Sequence, residues 1–235
     1  MEPHAGIELA AIELEAFVFD LDGTLIDSIP GIASSLAAAF RSIGREMPVA
    51  DLRRAIGPPI RIIAKRIEPS LTDDETLAIE RYYRSLYDSS GWRDSLIFEG
   101  VAETLRKLYG AGFRLFVATN KPLLPSRNTL NHMGIANLFE AIVTRDSSTP
   151  HYASKAAMLG DLVAMHWLRP GATVMVGDTI EDREAAQANS VACIFAQYGY
   201  GEDPGAQQSI ASFADLVRVA GVETFIEQGG RLQTR

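Results

Sequence analysis

Two aspartates one residue apart, Asp20 and Asp22, close an apolar run that begins at Ala16. In a strand, residues i and i+2 project from the same face, so the spacing predicts two carboxylates together at a strand end. Like charges that close are unfavourable unless a cation lies between them or one takes a proton. The pair therefore asks for a divalent metal or a proton, and either answer is chemical. Many aspartates at strand ends are only helix caps or turn residues. Asp20, however, stands between Phe19 and Leu21 inside the apolar run, where an unpaired charge is costly.

Other apolar runs end in polar groups of the same kind. Arg114–Asn120 leads into Thr119-Asn120-Lys121, and Thr173–Asp178 ends in Gly177-Asp178 with Asp182 following. In open α/β sheets, ligands collect at the carboxyl ends of the strands, so these groups are expected to meet. They amount to carboxylates, a hydroxyl and a cation. An all-oxygen set suits a hard cation such as Mg2+, which uses one or two carboxylates and leaves room for substrate phosphate. Plainer readings exist: Asp178-Thr179 as a helix opening, and Asp182 one turn later on a solvated helix face.

The elements that must position these groups follow from the pattern. Ala16–Asp22, Arg114–Asn120, Ala141–Thr144, Thr173–Asp178 and Val191–Gln197 have the length and content of buried parallel strands. Helical patterns alternate with them: Val101, Leu105 and Leu108 before Gly110 and Gly112, Ser126 to His132 before Gly134, and Ser154–Trp167 before Pro170. Strand–helix alternation implies a Rossmann-like, doubly wound parallel sheet of the α/β class. The segment between the first two long strands is far longer than a crossover needs and has helix grammar of its own. Ser28 and Pro30 open a stripe of Ile32, Leu36, Phe40 and Ile43; Ile60, Ile63 and Ile67 repeat at helical spacing; Thr72 and Glu75 form a capping-box pair before Leu77, Tyr83 and Leu86. The chain is thus expected to divide into a core of residues 1–29 and 96–235 and an inserted helical cap of residues 30–95.

Composition narrows the function classes. A formal net charge of −8 over 235 residues argues against nonspecific nucleic-acid binding. No apolar stretch is long enough for a membrane span, and the acidic start does not read as a secretory signal. The lone Cys193 reads as a small hydrophobe. A cytoplasmic protein, monomeric or homodimeric, is the expectation. The four histidines share no metal-ligand spacing and read as surface or packing residues, and Trp92 and Trp167 read as packing.

Phe19-Asp20-Leu21-Asp22-Gly23-Thr24-Leu25, Ala118-Thr119-Asn120-Lys121-Pro122 and Val176-Gly177-Asp178-Thr179 with Asp182 resemble motifs I, II and IV of the haloacid dehalogenase superfamily. The insertion after motif I resembles a cap of the first type, and the whole is most similar to the phosphoglycolate phosphatase-like hydrolases. The resemblance implies Asp20 as nucleophile, forming an aspartyl phosphate, and Asp22 as general acid and then base. It implies Mg2+ on Asp20, the Asp22 backbone carbonyl and Asp178, supported by Asp182. Thr119, with Asn120 close by, would bind the transferring phosphoryl, and Gly23 would let backbone N–H groups approach it. Lys155 has the order expected of the motif III lysine but lacks the Lys-Pro pairing common in relatives; Lys121 is the alternative. Asp22 argues against dehalogenase chemistry, which lacks an acid at that position. A phosphatase acting on a small phosphorylated metabolite is expected, with a phosphotransferase or phosphomutase second and a non-catalytic binding protein third. The segment Arg53–Arg61 resembles the cap specificity loop, with Arg61, Arg53 or Arg54 available to a substrate carboxylate or second phosphate. Tyr198-Gly199-Tyr200-Gly201 resembles a loop bordering the site.

Overall fold

The computed structural model describes residues 14–48, 52–55 and 59–222. The acidic residues Glu2, Glu8 and Glu13, and the Gly57-Pro58 part of the expected specificity loop, lie outside the described residues. The chain begins with β1 (Ala16–Phe19), β2 (Ile26–Asp27), α1 (Ile29–Ser42), α2 (Ile60–Ile67), α3 (Asp73–Ser89) and β3 (Leu96–Ile97). There follow α4 (Val101–Gly110), β4 (Arg114–Thr119), α5 (Leu123–His132), β5 (Ala141–Thr144), α6 (Lys155–Met165) and β6 (Thr173–Gly177). The last are α7 (Ile180–Ala188), β7 (Ala192–Ala196), β8 (Ser209–Ile210) and α8 (Leu216–Val219).

Six strands form one sheet in the order β5-β4-β1-β6-β7-β8, every pair parallel. The long strands read as continuous apolar runs because both faces are covered. Phe17, Phe19, Leu115, Val117, Val174 and Val176 pack with Val101, Leu105, Leu130 and Leu216 on one face. Ala16, Val18, Phe116, Ala118 and Met175 pack with Met158, Leu159, Leu162 and Ala185 on the other. The central position of β1, between β4 and β6, brings three carboxyl ends together where the strand order reverses.

β1 stops at Phe19, earlier than the expected Asp22. The Asp20 N–H still donates to Val176 O at 2.9 Å, but the chain then turns so that the Leu21 carbonyl accepts from Leu25 and Ile26. Asp20 and Asp22 therefore leave the sheet by a loop, and the strand alternation that would set their carboxylates side by side does not extend to them.

The insertion is closed at its base by antiparallel pairing of β2 with β3, Ile26 opposite Ile97. Its helices share a core of their own, including Ile32, Leu36, Phe40, Ile63, Ile79, Tyr83 and Trp92. The Thr72–Glu75 capping box forms: Glu75 N–H donates to Thr72 Oγ1 at 3.2 Å and Thr72 N–H to Glu75 Oε2 at 2.7 Å. Ser28 precedes α1 without a side-chain cap bond; instead Ile29 N–H donates to Asp27 Oδ1 at 3.1 Å. α5 starts at Leu123, earlier than Ser126, because a distant residue caps it: Leu123 N–H donates to Asp146 Oδ1 at 2.9 Å.

Trp92 packs as expected, its ring 5.7 Å from His132. Trp167 does not: it is 90% exposed. The residue has a left-handed φ of 54° just after α6, and this reversal turns Leu168 into the core and Trp167 outward. Cys193, expected inside, is partly exposed, and burial of its surroundings pushes the thiol up to about 12.

Candidate active site

The carboxyl ends of β1, β4 and β6 open into a cleft of about 1290 Å³ roofed by the insertion. Asp20, Asp22, Thr119, Asn120, Lys155 and Asp178 all face it. Lys155 opens α6, where Ser154 Oγ accepts from Ala157 N–H at 3.1 Å. This start carries the ammonium inward, leaving the residue 2% exposed. Its Nζ lies 2.9 Å from Asp20 Oδ1 and 2.5 Å from Asp182 Oδ1. Burial alone would depress the lysine, but Asp182 and Asp20 outweigh it and hold the group well above its usual range.

Asp182 is fully buried, not on a solvated face. Its second oxygen accepts from the Thr179 N–H at 3.0 Å and the Thr179 hydroxyl at 2.6 Å, which fixes it at the start of α7. Asp178 lies at the end of β6, where Oδ1 accepts from the Thr24 hydroxyl at 3.0 Å and Oδ2 from the Tyr200 N–H at 2.8 Å. The loop after β7 thus borders the site as its sequence indicates. A Cβ at Gly199 would overlap the Asp178 side chain.

Gly23 is required at this turn by its backbone conformation and by the space around it. Its N–H donates within the turn, to Ile26 O at 2.9 Å. Its φ is +88°, and a Cβ there would collide with the Asp178 carboxylate.

Carboxylate oxygens of Asp20, Asp178 and Asp182 all lie within 4.8 Å of one another. Burial, opposed by Lys155 and reinforced by Asp182 and Asp178, raises Asp20 to about 7. Burial and Asp182, against the hydrogen bonds from Tyr200 and Thr24, raise Asp178 to about 6. Three carboxylates facing one ammonium leave an excess of negative charge that a hard divalent cation would balance, so the residues present fit Mg2+. The Asp22 carboxylate is not part of this trio.

Asp22 has its own partner. Lys121 Nζ lies 2.9 and 3.2 Å from its two oxygens and 2.6 Å from the Tyr87 hydroxyl. Thr119 is buried, and its Oγ1 accepts from the Lys121 N–H at 3.2 Å. Asn120 Nδ2 donates to Glu181 Oε2 at 2.8 Å.

Arg61 is not brought to the cleft. Ile63 and Ala64 set the inward face of α2, and Arg61 Nε pairs with Glu80 at 2.9 Å on α3. Arg53 faces the cleft instead, its guanidinium 5.8 Å from the Tyr200 ring and 3.6 Å from Asp27 Oδ2. The sequence pattern assigns no role to Tyr87 or to Thr24. Thr24 closes the motif I hexapeptide, whereas nothing local marks Tyr87, whose contact with Lys121 spans 34 positions.

A doubly wound parallel sheet with this carboxylate–lysine cluster at its carboxyl edge defines a Rossmann-like enzyme class with a lidded cleft. Over residues 17–196 the chain matches the haloacid dehalogenase-like hydrolases, and it belongs to that family. It is 35% identical over 185 residues to the tyrosine-protein kinase PtkA of Mycobacterium tuberculosis, covering 78% of this chain. The chain spans 62% of the length of that relative. A solved structure of M. tuberculosis PtkA superposes with a TM-score of 0.73 at 32% identity, covering 89% of this chain and 99% of that one. A 5'-nucleotidase of Pseudomonas aeruginosa is 33% identical, covering 83% of this chain and 87% of its own length. A phosphoglycolate phosphatase of Vibrio vulnificus is 32% identical, covering 88% and 98%. Among the described residues, no helix is long and apolar enough to cross a membrane.

Proposed function

We propose that this chain is a magnesium-dependent phosphatase that hydrolyses a small-molecule phosphate monoester through an aspartyl phosphate on Asp20. The observation that carries this reading is the buried Lys155–Asp20 ion pair at 2.9 Å, opening on the same cleft as Asp22. Asp20 attacks phosphorus, forming the Asp20 O–P bond as the ester O–P bond breaks. Asp22 gives a proton to the departing oxygen, then takes one from the water that cleaves the acyl phosphate. Lys155 and the Thr119 hydroxyl compensate charge on the transferring group, and Asn120 flanks it. Phosphoryl transfer needs this alignment and charge compensation more than it needs covalent help. Asp20, Asp178 and the Asp22 backbone carbonyl would hold Mg2+, with Asp182 in support; when bound, it would neutralise the carboxylates and polarise the phosphoryl oxygens.

Residues 30–95 act in this account as a cap over a core of residues 1–29 and 96–235, and they meet the leaving group. Phosphoglycolate, a nucleoside 5′-monophosphate and a sugar phosphate are the candidate substrates; two of these classes match the names of relatives. A phosphotransferase is the second reading, favoured by the 35% identity to a protein named as a kinase. In that case Asp20 would pass its phosphoryl to an acceptor hydroxyl rather than to water.

The test is Mg2+-dependent release of phosphate from p-nitrophenyl phosphate, followed by a panel of phosphate esters ranked by kcat/KM. Activity lost in Asp20→Asn supports the reading. Full activity in that variant, or none in the wild type with any ester, overturns it. Phosphorylation of an added alcohol in preference to water would favour the phosphotransferase.

A further inference from the structure

Lys121 is buried, as Lys155 is, yet it is paired with none of the three clustered carboxylates. Its backbone is fixed from both sides: the N–H donates to Thr119 Oγ1 at 3.2 Å and the carbonyl accepts from Ser126 Oγ at 3.3 Å. From this post the ammonium reaches both oxygens of Asp22 and the Tyr87 hydroxyl. The three contacts use up the ammonium's three protons, so its geometry is fully determined. Tyr87 belongs to α3 in the insertion, and its ring stacks on Tyr83 at 5.2 Å and 11°. A rigid tyrosine of the roof therefore completes the surroundings of a lysine that grips Asp22.

Stability alone is a poor explanation for this arrangement. A buried ion pair offsets its own desolvation only with good geometry and further hydrogen bonds, and an apolar contact would dock the roof at lower cost. What the arrangement supplies is orientation. A carboxylate held by both oxygens to one nitrogen has a single direction in which to face the cleft. That direction depends on the roof being seated, because displacing α3 removes one of the three acceptors.

We propose that Lys121 and Tyr87 are positioning residues that fix the Asp22 carboxylate for proton transfer, so that closure of the roof and readiness of the acid are one event. The proposal rests on the reading of Asp22 as the acid–base group. Neither residue exchanges a proton with the substrate; both act through Asp22.

The test compares an ester whose leaving group departs without a proton, p-nitrophenyl phosphate, with one that needs the acid, β-glycerol phosphate. In Lys121→Met the ratio of alkyl to aryl kcat/KM should fall about tenfold, and in Tyr87→Phe about threefold, since misplacing a general acid forfeits part of its contribution. Lys121→Arg should recover part of the ratio. In an Asp22→Asn background neither substitution should lower the ratio further. Tyr87→Phe keeps the ring and its stacking, so it carries the test even if Lys121→Met fails to fold. An active wild type with a ratio unchanged by both substitutions, or with effects additive to Asp22→Asn, overturns the positioning role alone. A wild type inactive toward both esters overturns the phosphatase reading, and the positioning role falls with it.

Discussion

On the floor of the cleft Asp20, Lys155, Asp178 and Asp182 are buried, each with a polar partner, and the three carboxylates outnumber the one ammonium. Lys155 bridges Asp20 and Asp182, Asp178 takes hydrogen bonds on both oxygens, and Thr179 pins Asp182. On the roof the cations are exposed. Arg61 and Arg84 both pair with Glu80, and Ile32, Ile60, Ile63 and Tyr83 present apolar surface to the cleft. Electrostatic interactions strengthen where water is excluded and fade where it is not. The floor is thus built to fix a reaction, and the roof to accept a leaving group by shape, with Tyr87 and Lys121 as the link between them.

If the contrast is sound, damage to the floor should outweigh damage to the roof. Asp20→Asn should lower kcat by at least about 10³-fold, equivalent to about 4 kcal/mol of transition-state stabilisation; steady-state assays on the ester panel measure this. Lys155→Met comes next. It leaves Asp20 and Asp182 buried without their cation, and should cost about 3 kcal/mol of stability as well as activity, read from denaturant unfolding.

The floor should also show itself in the pH dependence of stability without metal. Asp20 and Asp178 are raised to about 7 and about 6, above the 3.8 of a free carboxyl. The folded chain therefore holds more protons than the unfolded one between about pH 4 and 7, and its stability falls as pH rises through that window. The Tm of chelated protein should drop by several degrees from pH 5 to pH 8. Saturating Mg2+ should restore it most at the higher pH, by about 2.7 kcal/mol at a hundredfold excess over Kd. A Tm that rises over this range would contradict the assignment of buried, uncompensated carboxylates.

The smallest effect belongs to the roof. Arg61→Ala removes an exposed pair with Glu80 outside the cleft, and kcat/KM should change less than about twofold. A large rise in KM would mean that α2 turns this face toward the substrate, and the contrast between floor and roof would fail.

The same division governs what the sequence makes legible. Apolar runs ending in Asp20, Thr119 and Asp178 mark the strand ends because burial on both faces forces continuous apolar residues and function interrupts them. The Thr72–Glu75 box is legible because it is local. Lys155 reads as a motif lysine from its order along the chain, but its bridge to two carboxylates depends on how α6 meets α7. Asp182 reads equally well as solvated, since nothing near it records that Thr179 and Lys155 enclose it. Arg61 fails because helical phase decides its direction, and Ile63 and Ala64 take the inward side. Tyr87 is invisible for the same reason as the Asp146 cap on α5: both partners are distant in sequence and meet only after folding.

The most direct test of the account is acid-quenched peptide mapping of the Asp22→Asn variant during turnover of p-nitrophenyl phosphate. Without the base, hydrolysis of the covalent intermediate slows, while the good leaving group still departs. The account predicts the mass of one phosphoryl group on the peptide containing Asp20, absent when Asp20→Asn is added. A phosphoryl group on any other residue, or none while the ester is consumed, would contradict it.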